Sequence, residues 1–130
     1  MSDPFIDTDV IIRLLTQDDL AKQGEAASLF EEVGAGKLRV VAPDTVIADA
    51  VYVLSSPRLY NLARDQVAEV LIALVRLPGF KVENRGAVLC ALELYGSTNV
   101  DFRDALIVAA MEHAGSKTLY SYDTHLDRFL

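Results

Sequence analysis

The stretch DPFIDTDVIIRLLTQ, Asp3–Gln17, decides how the chain begins to fold. DPFID reads as a short strand, and TDVIIRLLTQ as the helix it enters, with Asp7 at the junction. The same order returns along the chain. KLRVVAP reads as a strand, followed by a helix over DTVIADAVYVLSS with Asp44 as its expected N-cap and Pro57 beyond its end. FKVEN is a short strand before the helix RGAVLCALELYGS, and KTLYSY is a strand before a final helical turn, DTHLDRFL. Three further helices are expected between these units. LAKQGEAASLFEEVGAG has Ala21, Ala27, Leu29, Phe30 and Val33 as apolar positions and Gly34 and Gly36 as stop signals. NLARDQVAEVLIALVRLPG is long and stopped by Pro78 and Gly79, and DFRDALIVAAMEHAG follows later. Strands alternating with helices favour a parallel sheet covered on both faces. The expected fold is therefore α/β, a three-layer α/β/α sandwich whose mostly parallel central sheet has four or five strands. Right-handed crossovers put the C-terminal strand ends along one edge, where such sheets hold their ligands.

A chain of 130 residues fits one domain, taken here as 1–130, and can bury a real core. Its net charge is −7, and its arginines and lysines form no run. That argues against broad electrostatic binding of nucleic acid. It leaves room for an acidic site that binds a cation first and meets phosphate through it. The single cysteine, Cys90, cannot form an internal disulfide and is expected to be a small buried thiol. No signal peptide is read, and no apolar run approaches the ~20 residues needed to cross a bilayer. The expected location is the cytoplasm, away from membranes.

Four acids stand out. Asp7 and Asp123 end strands, on the edge where α/β proteins place their sites, although each could simply cap the helix that follows. Asp49 lies mid-helix in TVIADAVYVL, among Thr45, Val46, Tyr52 and Val53, with no Lys or Arg within one turn. Asp has poor propensity there, and an isolated buried carboxylate is costly unless it is paired or binds a metal. Asp104 opens the apolar run Ala105–Met111, expected to be almost wholly buried, and its face runs through Ile107, Val108 and Met111. Asp101, three residues earlier, reads as that helix's cap. If Asp7, Asp49, Asp104 and Asp123 converge, their repulsion calls for a cation. Oxygen ligands without His or Cys point to Mg²⁺ or Mn²⁺, and the usual use of such a cluster is hydrolysis of a phosphoester. His113, near a helix end, and His125, on the final turn, do not compete for this role.

The chain resembles PIN-domain proteins, specifically the single-domain VapC-type toxin ribonucleases, over nearly its whole length. FIDTDVII matches the family's opening strand and acid at Asp7 and Thr8. VIADAVYVLS matches the second acid at Asp49, DFRDALIVAA the third at Asp104, and LYSYDTHLDRF the fourth at Asp123. The third motif is the most specific. The resemblance implies that these acids hold Mg²⁺ or Mn²⁺ and activate water to cleave RNA. It also implies a homodimer and a cognate antitoxin protein, with VYVLSSPRLYNL as the apolar pairing surface and a basic antitoxin tail reaching the acids. Two departures are evident. The second acid is usually Glu and here is Asp49, and the strand that often follows the fourth motif is not seen before Leu130.

Two alternatives stand beside this reading. DTDVI and YDTHLD offer the D-x-D and D-x-x-x-D of a haloacid-dehalogenase-like phosphatase, with Asp7 as nucleophile and Asp9 as general acid. That reading leaves Asp49 and Asp104 unexplained. The other alternative is a PIN-like binding module that has lost catalysis through Asp49.

Overall fold

A computed structural model describes residues 2–122. Its helices are α1 (Thr8–Leu15), α2 (Leu20–Gly34), α3 (Asp44–Ser55), α4 (Arg64–Val75), α5 (Arg85–Ser97) and α6 (Phe102–Ala114). The strands are β1 (Val40–Ala42) and β2 (Phe80–Val82), paired in parallel with Val41 opposite Lys81. The first segment adds itself to the other side of β1 through a parallel bridge between Phe5 and Val41. Ile6 N–H donates to the Val41 carbonyl at 3.0 Å, and Val41 N–H to the Pro4 carbonyl at 2.8 Å. The expected α/β class with a parallel sheet is therefore present, and helix dominates it.

The sheet is smaller than expected. Among the described residues it has two strands and one bridge rather than four or five strands. The KTLYSY segment is not a strand: Lys117 to Ser121 have no regular structure, and Tyr120 and Tyr122 are exposed. Strand propensity expresses itself only against a partner, and alternation alone does not supply one. The expected final turn, DTHLDRFL, lies outside the described residues.

Most helix boundaries follow their local signals. Asp19 caps α2 by accepting from Lys22 N–H at 3.0 Å, and Gly36, at φ +74°, takes the left-handed turn after that helix. The α4 helix starts later than expected, because Asn61 is left-handed (φ 49°) and the chain turns there. The Gln66 side chain then accepts from Ala63 N–H at 3.1 Å, half of a capping box. For α3 the expected cap is corrected: Pro43 is the N-cap residue, and Asp44 is the first helical residue, where its charge suits the helix dipole.

The core lies where α3 meets its neighbours. Ile47 and Leu54 of α3, Leu71 of α4, Leu92 of α5, Ile11 of α1 and Phe80 of β2 are fully or almost fully buried. Truncating one of the core leucines to alanine should cost about 2–5 kcal/mol. Two glycines are fixed by close approach. A Cβ on Gly79 would lie 2.1 Å from the Leu38 carbonyl oxygen, where the backbone crosses into β2. One on Gly96 would lie 2.6 Å from the Ala68 Cβ, so α4 and α5 pack almost backbone to backbone there. The α6 run is not buried all round, contrary to the expectation. Phe102, Ala105 and Ala109 form its core stripe, whereas Ile107 is 41% exposed and Ala110 lies on the surface. One stripe is all that a helix packed on one side can bury.

Candidate active site and its cleft

The α3 helix is the hub of the candidate site. It packs against α1, α4, α5, α6 and β1. Asp7 precedes α1, Asp49 lies midway along α3, and Asp104 lies in the first turn of α6. These sequence-selected acids therefore sit on three elements of which α3 touches the other two. Asp123 lies outside the described residues.

Each acid has a local setting that the sequence showed only in part. Asp7 is exposed and caps α1, accepting from Thr8 N–H at 2.7 Å. Asp101 caps α6 as expected, accepting from Arg103 N–H at 3.1 Å. Asp104 is half-buried on α6. Asp49 is exposed, which corrects the expectation that it is a buried mid-helix charge. Val46, Ile47, Ala50 and Leu54 turn inward, and Asp49 lies on the remaining arc with the exposed Tyr52. Arg103 lines both clefts that Asp49 lines.

The larger of these is a cleft of about 690 Å³ between α3 and the α5–α6 turn. Asp49, Tyr52 and Ser55 form one wall, and Arg64, Asp101 and Arg103 lie on the other side. Sequence reading missed Tyr52, Arg64 and Arg103. Tyr52 could have been found from its i+3 spacing to Asp49. Arg64 could not, because its partners lie far along the chain. Its Nε donates to the Tyr95 carbonyl at 3.0 Å, and its Nη2 donates to the Val100 carbonyl. Its guanidinium carbon stands 3.9 Å from the Tyr95 ring centre. The second cleft, between α3 and α6, is more apolar and runs from Asp44 and Thr45 to Leu106 and Ile107. At its rim the Asn84 side-chain amide donates to Asp44 at 3.1 Å.

The donor chemistry of Asp7, Asp49 and Asp104 suits a hard divalent cation. The described residues do not close a metal cage on their own: no three His, Cys, Asp or Glu side chains among them form a group that could hold an ion. Cys90 is half-buried rather than fully buried, and burial, followed by the charge of Glu112, pushes its thiol up. It is thus a poor nucleophile or ligand.

A family model of the PIN domain matches residues 5–129, and the chain belongs to the PIN-domain family. No curated protein and no solved structure matches it. PIN domains are typically nucleases and generally bind divalent metal ions, so the class of activity is nuclease-like. Membership sets aside the phosphatase alternative, whose nucleophile would have been Asp7. Among the described residues no helix is long and apolar enough to cross a membrane.

Proposed function

We propose that the chain is a metal-dependent endoribonuclease that hydrolyses RNA phosphodiesters, and that it acts as the toxin of a toxin–antitoxin pair. The observation that carries the nuclease part is the match over residues 5–129 together with the placement of Asp7, Asp49 and Asp104 on α1, α3 and α6. Asp7, Asp104 and Asp123, with Asp49, would hold Mg²⁺ or Mn²⁺. Such an ion, when bound, acts as a Lewis acid toward the phosphodiester and lowers the pKa of water. The chain's own contribution would be to gather these carboxylates at low cost to the fold. Exposure of Asp7 and Asp49 allows this, because water screens their repulsion in the metal-free protein.

The acidic balance of the chain, −7, supports the partner reading. A basic antitoxin segment would be drawn to these acids, with an Arg or Lys standing in for the cation. A homodimer through residues 51–62 would rest on Tyr52 and Leu59, exposed on that stretch, because Val51 and Leu54 belong to the core. The deciding experiment is cleavage mapping on total cellular RNA with Mg²⁺, with Mn²⁺ and with chelator. Discrete cuts that need the divalent ion support the proposal. Intact RNA under all three conditions leaves the inactive binding module as the reading.

A further inference from the structure

We infer that the cleft between α3 and the α5–α6 turn is the track for single-stranded RNA, and that Tyr52 is its base-stacking platform. The inference rests on the nuclease reading and goes on to name the residue that reads the strand. Tyr52 is 73% exposed, although it belongs to the helix that anchors the core. It stands one helical turn from Asp49, on the same wall of the cleft. An aromatic face left open to water beside a candidate phosphate-cutting acid is what a base can cover. Every base has a π-face, so such stacking tolerates sequence and favours single strands.

The opposite wall supplies the charge. Arg64 and Arg103 line this cleft, and among the described residues neither is ion-paired with a carboxylate. In a chain of net charge −7, two guanidinium groups lining one groove without an ion-paired carboxylate among the described residues are a local exception that a phosphate backbone would use. Arg64 is held in place by the Tyr95 and Val100 carbonyls, so it offers a fixed charge. Arg103 is exposed and can follow the strand. Arg64 and Arg103, with Asp101 also in the lining, on one wall and an aromatic ring with an acid on the other can seat a backbone and a base together. A duplex cannot use the platform, because its bases are already stacked.

The chain contains no tryptophan, so Tyr52→Trp places a single indole in the cleft. Its emission is titrated with short oligouridylate, and with a duplex of the same length, in buffer where Ca²⁺ replaces Mg²⁺. Saturable quenching by the single strand and none by the duplex is expected. In cleavage assays with Mg²⁺, Tyr52→Ala should raise KM about tenfold with kcat nearly unchanged, and Tyr52→Phe should behave as the parent. An indole that ignores RNA, in a protein whose parent form cleaves RNA, overturns the inference and leaves the nuclease reading intact. Quenching by RNA when the parent cleaves nothing does the reverse. Emission that responds to protein concentration and not to RNA overturns the inference by placing a second copy on this face.

Discussion

The Tyr60 hydroxyl donates to the Asp18 carboxylate at 2.6 Å, across 42 residues of chain. The contact ties the α1–α2 turn to the α3–α4 connection, and so holds α1, with Asp7 at its head, against α3. The Thr16 hydroxyl lies 3.0 Å from the other Asp18 oxygen, and Arg13 pairs with that oxygen at 3.1 Å.

This cluster sets a pH window for stability. The Tyr60 hydrogen bond is the largest cause holding the Asp18 carboxyl below its usual value, and the same bond is the largest cause raising the Tyr60 phenol. A lowered acid stabilises the fold above the unfolded carboxylate pKa, about 4, and loses that contribution as pH falls through its folded value. A raised phenol stabilises it below about pH 10 and loses that contribution as pH climbs through its folded value. Tyr60→Phe removes both. The gap in melting temperature between parent and variant should therefore be widest near neutrality and shrink at both extremes. A gap that does not change with pH would mean that only ring packing was lost.

Arg64 should matter to the fold more than a half-buried arginine usually does. Arg64→Ala removes two hydrogen bonds from a charged donor and the contact with Tyr95. The expected loss is about 1.5–3 kcal/mol in urea denaturation. Arg64→Lys should recover only part of it, because an ammonium cannot match the planar fork between two carbonyls. Full recovery by lysine would show that charge alone holds the α5–α6 turn.

Particular residues show how far the sequence could be read. The order of strands and helices as far as α6, and the caps at Asp7 and Asp101, follow from local rules, but the KTLYSY strand does not. The sequence suggests burial of Asp49 because its neighbours at three and four residues are apolar or aromatic or bear only a hydroxyl. Tyr52 is nevertheless exposed, and Val53 only partly buried, so that arc is not a core face. The run Ala105–Met111 is likewise only partly buried, and composition cannot say which of several apolar stripes meets a neighbour. Arg64 and Tyr60 act through partners 31 to 42 residues away, and no helical or strand period reports such distances. Asp7, Asp49 and Asp104 also stand at the positions of the family motifs, and that likeness does not depend on burial.

Asp104→Asn should abolish RNA cleavage and leave the protein folded. Asp104 is half-buried in the first turn of α6, where a carboxylate gains from the helix dipole. The amide forfeits that gain but also lessens repulsion toward the other acids. These effects oppose each other, so the variant should stay folded. A drop in cleavage of at least about a hundredfold at unchanged melting temperature is expected, as for loss of a group that acts on the transition state. A variant that melts well below the parent would make Asp104 a structural residue.

Position 49 carries Asp where the family usually has Glu. The shorter side chain withdraws its oxygens by about one carbon–carbon bond, roughly 1.5 Å. Mg²⁺ binds its ligands at about 2.0–2.1 Å in strict octahedral geometry, so a loss of that size excludes direct contact unless α3 moves closer. The α3 helix is fixed by Ile47, Ala50 and Leu54, all fully buried, so it has little freedom to move. Mg²⁺ keeps its waters readily, and Asp49, exposed in a wet cleft, can serve the ion through one of them. Asp49→Glu should then hold or raise both cleavage and metal affinity. Asp49→Ala should lower both, and its deficit should shrink as Mg²⁺ is raised. Calorimetric titration with Mn²⁺ beside cleavage rates at limiting Mg²⁺ reads the two effects separately. Should Asp49→Ala cleave as fast as the parent at limiting Mg²⁺, the working set contracts to Asp7, Asp104 and Asp123, and the cleft wall at position 49 serves the strand rather than the ion.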